Sequence, residues 1–260
     1  MPVQPPPAIY DNAEFIINPE FRQAELERIE QMKKTFPDID KFPILGYEDK
    51  IECSLKHLFR AFLNYGTKFS QYENLSIMEW LDKYPLTNVE CVYDKPGILD
   101  APSYFNISDE AAPLPGVFKS WPLSSRFTES MIHITEKPKM MQPKSNKTNL
   151  TVDTIYLSPR MIIRRTQFGL EGVPFSDSFN FESKFTFEQD EQRLSNGSFT
   201  TKIKIELKIN IIKPIRFIQG TVVKETENSL RDTYCTGPYR DLLFSKILEA
   251  KEYLRQTWTQ

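Results

Sequence analysis

Glycine and cysteine are scarce, with 9 Gly and 3 Cys among 260 residues. The thiols Cys53, Cys91 and Cys235 are odd in number and lack CxxC spacing, which excludes a disulfide framework and fits buried, inert thiols in a reducing compartment. Histidine is scarcer still. His57 and His133 are too few for a His-rich metal site, and neither adjoins a nucleophile motif. A glycine-rich phosphate loop is also missing. Both histidines read as structural, and the chain reads as a non-enzyme that needs no cofactor and no metal.

Charge of one sign is lacking as well: 33 basic residues oppose 35 acidic ones, for a net charge of -2. That balance argues against a nucleic-acid partner, which calls for a basic stripe. No apolar run approaches the ~18–20 residues a bilayer span needs. The first residues, MPVQPPPAIYDNAEF, have no basic-then-apolar signal pattern and are too acidic for a mitochondrial presequence. The N-x-S/T sequons at Asn74, Asn106, Asn146, Asn149 and Asn196 therefore read as chance. The location expected is intracellular, cytoplasmic or peripheral at a membrane, with a mitochondrial location as the alternative.

What the chain does have is a globular composition, 40% hydrophobic and 26% charged, with 19 Phe, 11 Tyr and 19 Pro. An aromatic core with stiff loops follows. Residues 1–17 read as a Pro-rich extended arm. Asn18-Pro19 starts a helix whose narrow stripe of Leu26, Ile29 and Met32 predicts a helix lying on a surface. Ser54 starts a stronger helix with Leu55, Leu58, Phe59, Phe62 and Leu63 on one face. Ser76 and Glu79 form a capping box for a short helix holding Trp80. Between Asp94 and Pro122 the prolines predict a long irregular loop, and 95–118 is the lid candidate.

The period then changes from helical to two. A strand runs through Met131 and His133, and residues 150–157 and 161–168 pair around Ser158-Pro159. Phe179, Phe181, Phe185 and Phe187 share one face, as do Ile203, Ile205, Leu207, Ile209 and Ile211, while Lys202, Lys204, Glu206 and Lys208 face the other way. This predicts an antiparallel sheet with one greasy and one wet face. From Pro214 the chain reads as helical, through Ile215, Ile218, Val222, Leu230 and Tyr234, with a second segment from Leu243 to Leu254. With no strand–helix alternation the class is α+β, and the final helix is the natural cover for the sheet's apolar face.

The run Gly172-Val173-Pro174-Phe175-Ser176-Asp177-Ser178-Phe179 resembles the Val-Pro-aromatic-x-Asp-x-Phe signature of VASt domains, the START-like lipid-transfer modules of Lam/Aster proteins. Trp121 with Arg126-Phe127-Thr128, Pro143-Lys144, Tyr156-Leu157 and the Lys202–Lys208 strand follow that family's order. The likeness covers roughly residues 50–255, with Phe175 where the family usually has Tyr, and without its GRAM domain or membrane anchor. It implies a START-like helix-grip, a curved antiparallel sheet around a long C-terminal helix. The implied division is 1–50, arm and amphipathic helix, and 51–260, the START-like domain.

The resemblance further implies binding or transfer of a lipid or sterol at a tunnel lined by Trp121, Phe175, Phe179, Phe181, Phe187, Ile205, Leu207, Ile209, Ile218 and Val222. The other reading of these residues is a dry, filled core. An accessory subunit would then have kept the fold without the tunnel, docking through its N-terminal arm into a larger, membrane-bound assembly. Partners on these readings are a lipid, a membrane surface or a protein assembly. Lys137, Lys139, Lys144, Lys147, Arg160, Arg164 and Arg165 form a local basic excess, either a patch for acidic partners or a solvated face.

Overall fold

In a computed structural model the described residues are 18–59, 87–93, 101–106, 113–135, 144–172, 175–190, 199–215, 219–234, 241 and 245. The arm, the Ser76–Glu79 capping box with Trp80, and Ile218 lie outside them, as do Phe62, Leu63, Leu243, Ile247, Ala250 and Leu254.

The elements follow in the order α1 (Pro19–Thr35), β1 (Ile44–Ile51), α2 (Leu55–Leu58), β2 (Thr87–Tyr93), α3 (Ser103–Asn106), α4 (Pro115–Lys119), β3 (Ser124–Thr135), β4 (Ser145–Ser158), β5 (Met161–Glu171), β6 (Phe179–Gln189), β7 (Thr201–Ile211) and α5 (Gln219–Tyr234). The class is α+β. All strands join one seven-stranded antiparallel sheet in the order β1-β7-β6-β5-β4-β3-β2. Among the described strands only β1 is displaced from its place in the chain, crossing to pair with β7.

Register follows the two-residue period. Phe185 pairs with Ile205, Phe187 with Ile203 and Phe181 with Ile209, so the rings and aliphatic chains read from sequence share an inner face. In β1, Gly46 sits at a register shift, where a Cβ would meet the Ile205 carbonyl oxygen at 3.1 Å. Gly172, at φ 80, similarly brings the end of β5 against Ser145.

Asn18 caps α1, accepting from the Glu20 amide at 2.8 Å, with Pro19 in the first turn. The buried stripe is not the one expected. Phe21, Ala24, Glu25, Arg28 and Met32 face inward, whereas Leu26 is 56% exposed. The apolar residues misled because two of the buried positions are charged. The Arg28 guanidinium donates to the carbonyls of Tyr156, Lys119, Trp121 and Pro122, at 2.6–3.2 Å. Glu25 accepts from Ser158 Oγ and from Arg160, both at 2.6 Å. This polar clamp fixes α1 across the β4–β5 hairpin.

Phe21 and Ala24 of α1 join the inner core, and Met32, Phe36 and Ile39 pack with Ile155, Leu157 and Ile163 on the outer face. A division at residue 50 would fall inside β1, and residues of α1 belong to both clusters.

Two further expectations change. The segment 95–118 is not an irregular lid where it is described, because α3 and α4 place Tyr104, Phe105 and Phe118 in the core. The helix described after β7 begins at Gln219, and Pro214 and Ile215 precede it. The Ile215 carbonyl accepts from the Gln219 amide at 3.1 Å, and α5 then packs against β7 and β1. No helix among the described residues is long and apolar enough to cross a membrane.

Candidate functional site

The inner face of the sheet falls into three zones. At the β4–β5 hairpin end, Tyr156, Ile162, Phe187 and Ile203 pack with Leu55, Leu58, Phe59, Phe105 and Phe118 in one cluster. Phe59 and Phe105 lie 4.7 Å apart between ring centroids, and each is 6.0 Å from Tyr156. Trp121 stacks on Tyr104 at 5.8 Å and leans on Phe118 at 5.9 Å. The Tyr156 hydroxyl reaches Ser125 Oγ at 2.8 Å, so even the polar tip is satisfied. Trp121, Phe187, Ile205 and Leu207, all expected to line a tunnel, belong to this packed zone or lean on it.

Buried polar residues occupy the middle of β4, β5 and β6, while β7 stays apolar there through Ile205 and Leu207. Thr154 of β4 stands opposite Arg164 of β5, and Thr166 of β5 opposite Ser183 of β6. All four are buried, Arg164 at 3% exposure and Ser183 at 1%. The Ser183 hydroxyl has no hydrogen-bond partner among the described residues. Of these residues the sequence singles out Arg164 alone, as part of the basic excess. Their signal is a break in the pattern, since Ser183 interrupts Phe179, Phe181, Phe185 and Phe187, and Arg164-x-Thr166 separates Ile162 from Phe168.

The third zone is looser. Phe181 stacks on Phe168 at 4.3 Å, and both are half-buried, as are Ile209 and Val222, with Phe181 and Ile209 packed at the margin of the same cluster. Phe179 is buried opposite Ile211, which is 37% exposed. Phe175 departs from the expected lining. It sits in the turn before β6 at φ 63, with its side chain 44% exposed. The rest of that motif works as a clamp. Asp177 accepts from Lys213 Nζ at 2.9 Å, and the Ser178 carbonyl accepts from the amide of Ile212 at 2.8 Å. The Lys213 ammonium, followed by the Ser178 hydroxyl, holds the Asp177 carboxyl below its ordinary range. Ile218 lies outside the described residues.

The outer face is less wet than its alternation predicts, because the chain after α1 covers part of it. Lys184 is buried there, donating to the Ile39 carbonyl at 3.0 Å and pairing with Glu206 at 2.8 Å. Burial opposes ionisation of Glu206, but Lys184 and Lys204 together outweigh it and hold its carboxyl below the ordinary range. The basic excess is not a patch where it is described. Arg160 pairs with Glu25 and Arg165 with Glu182, each at 2.6 Å, Lys147 faces Glu171 at 3.9 Å, and Arg164 lies on the opposite side of β5. Lys137 and Lys139 are outside the described residues.

His57 Nδ1 lies 2.7 Å from Ser54 Oγ, a pairing that belongs to the cap of α2, where the same oxygen accepts from the His57 amide. The His133 side chain lies outside the description. Among the described residues no cluster of three or more His, Cys, Asp or Glu is placed to hold a metal. No protein-family model matches the chain, and no curated protein matches it.

Proposed function

We propose that the chain is a START-like, VASt-type domain in which a curved sheet grips a C-terminal helix, and that it binds or transfers a lipid without chemistry. The observation that carries this reading is the division of the inner face. A domain whose only task is to close a core gains most from uniform apolar packing. Here an aromatic plug fills one end, buried polar residues of β4, β5 and β6 follow, and half-buried Phe168, Phe181, Ile209 and Val222 form the remainder. An apolar wall with a few convergent polar groups is the usual makeup of a small-molecule site. The strand order supports the fold part of the proposal. β1 crosses to β7, α2 to α4 lie on the inner face, and α5 follows β7 to pack on it.

In this mechanism the lipid tail lies along Phe181, Phe168 and Ile209, shielded from water, and exchange takes place at a membrane surface. Of the charged residues of α1, Glu25 and Arg28 are engaged in clamping the β4–β5 hairpin. The accessory-subunit reading is favoured by the plug itself, since Phe59, Phe105, Tyr156 and Trp121 occupy space a long tunnel would need. Native mass spectrometry of the purified full chain separates the two. A co-purified lipid at one per chain is expected, and a lipid-free chain that stays lipid-free after incubation with vesicles would favour the accessory subunit.

A further inference from the structure

The end of the sheet away from the aromatic plug carries a small apolar tip. Of the large apolar side chains exposed among the described residues, Leu26, Leu45 and Val117 stand singly on α1, β1 and α4, as scattered surface residues commonly do. Phe175, Ile211 and Ile212 instead gather at one place. The Phe175 carbonyl accepts from the Ser178 amide at 2.9 Å, and the Ser178 carbonyl accepts from the amides of Ile212 and Lys213 at 2.8 and 3.1 Å. Asp177 and Lys213 close the same clamp through their side chains. The turn before β6 is thus tied to the end of β7, and Phe175 is displayed from a fixed frame.

Holding Phe175 there is costly. At φ 63 it adopts a conformation that Gly or Asn takes far more readily than an aromatic residue. The ring nevertheless leaves 44% of its surface in water, so packing within the chain does little to offset the strain. A strained, exposed aromatic points to contact with something outside the fold.

The size and charge of the tip say what that is. Its three side chains expose on the order of 250 Å², far below the ~800 Å² that each partner contributes to a stable protein interface. A second copy or another folded protein would need much more. Shallow insertion among lipid head groups needs no shaped partner, and there aromatic and branched aliphatic side chains leave water directly. The neighbouring charges do not oppose it. Asp177 lies 2.9 Å from Lys213 and Glu171 lies 3.9 Å from Lys147, while Lys144 adds an exposed cation just before β4. Half-buried Phe168, Phe181 and Ile209 stand on β5, β6 and β7 behind this end, so a lipid leaving a bilayer here would meet the looser zone first.

We infer that Phe175, Ile211 and Ile212 form a membrane-docking tip that inserts into the surface of a phospholipid bilayer. This rests on the lipid-binding reading and names the surface through which exchange takes place.

The test co-sediments the full chain with phosphatidylcholine vesicles, with and without phosphatidylserine, and reads lipid uptake in parallel by native mass spectrometry. Both vesicles should bind the chain, the anionic one no more than a few-fold better, and high salt should change little because apolar contact dominates. Ile212→Asp should lower vesicle binding at least about tenfold. Phe175→Gly separates docking from folding, since it removes the ring and relieves the strained φ. Its melting temperature should stay within a few degrees while vesicle binding falls several-fold. Vesicle binding unchanged in both variants would overturn the tip, and lipid uptake by the unaltered chain would then leave the lipid reading standing. Vesicle binding that both variants weaken, without any lipid uptake, would keep the tip and remove the cargo. A chain that ignores vesicles would overturn the inference, and a dimer dissolved by Ile212→Asp would assign the tip to a second copy.

Discussion

The two ends of the inner face are built from the same residue types and behave differently. At the β4–β5 hairpin end, Phe187 and Ile203 are 1% and 0% exposed, under Leu55 and Phe59 from α2, with Phe105 and Phe118 from α3 and α4 in the same cluster and Arg28 clamping the hairpin beside it. At the opposite end Phe181 and Ile209, on the same two strands and four or more residues along, are half-buried, and Ile211 reaches solvent. Alternation within a strand therefore decides which face a side chain joins but not how tightly it is covered. Coverage comes from the helices delivered to that end, and the described helices α1 to α4 are delivered to only one.

That contrast can be broken most severely at its clamp. Arg28→Met would leave the carbonyls of Tyr156, Lys119, Trp121 and Pro122 without their donor in a buried setting. A loss of about 3–5 kcal/mol is expected, checked by urea unfolding. Burial already lowers the Arg28 pKa, but a guanidinium stays charged at any pH where the fold survives. A matched pair then sharpens the comparison. Phe105→Ala should cost about 3–5 kcal/mol because it opens a cavity in the plug, whereas Phe181→Ala should cost no more than about 1–2 kcal/mol and act mainly on lipid uptake. Equal losses at the two positions would erase the distinction between the ends.

The smallest effect expected is electrostatic. Glu206 and Asp190 both have carboxyls held below their ordinary range, against the opposing pull of burial, the first by Lys184 and Lys204 and the second by Lys50 and Thr200. A depressed carboxyl contributes stability that is fully present above its unfolded pKa and is lost as pH falls through the folded value. Stability should therefore hold from neutral pH down to about 4–5 and decline below it. Glu206→Gln should flatten that acid limb in melting curves taken between neutral pH and about pH 3.

Much of the sheet was legible because a two-residue period is written directly in the side chains. β6 and β7 follow the alternation of Phe179 to Phe187 and of Ile203 to Ile211, and β4 and β5 meet around Ser158-Pro159 as expected. The side of α1 that packs was not legible. Burial there goes to Glu25 and Arg28, whose partners are more than 90 residues away. Nor was the plug, since α3 and α4 arise from a proline-rich stretch whose aromatics Tyr104, Phe105 and Phe118 carry no periodic signal. Among the candidate lining residues, sequence placed Phe181 and Ile209 on the right face but could not separate them from Leu207, which is fully buried between Ile44 and Ser183 of the neighbouring strands. In sequence Arg164 falls with Arg165 in the basic excess, either a patch or a solvated face, because nothing local distinguishes the two. Only the parity of the strand does.

The division of the inner face is tested most directly by placing one bulky side chain at either of two positions two residues apart on β7. Leu207→Trp should overpack a closed core and lower stability by about 1–3 kcal/mol or more. Ile209→Trp should leave the melting temperature within a few degrees while blocking lipid uptake from vesicles, read by native mass spectrometry. If Ile209→Trp unfolds the protein as severely as Leu207→Trp, the second end is as full as the first and there is no room for a ligand.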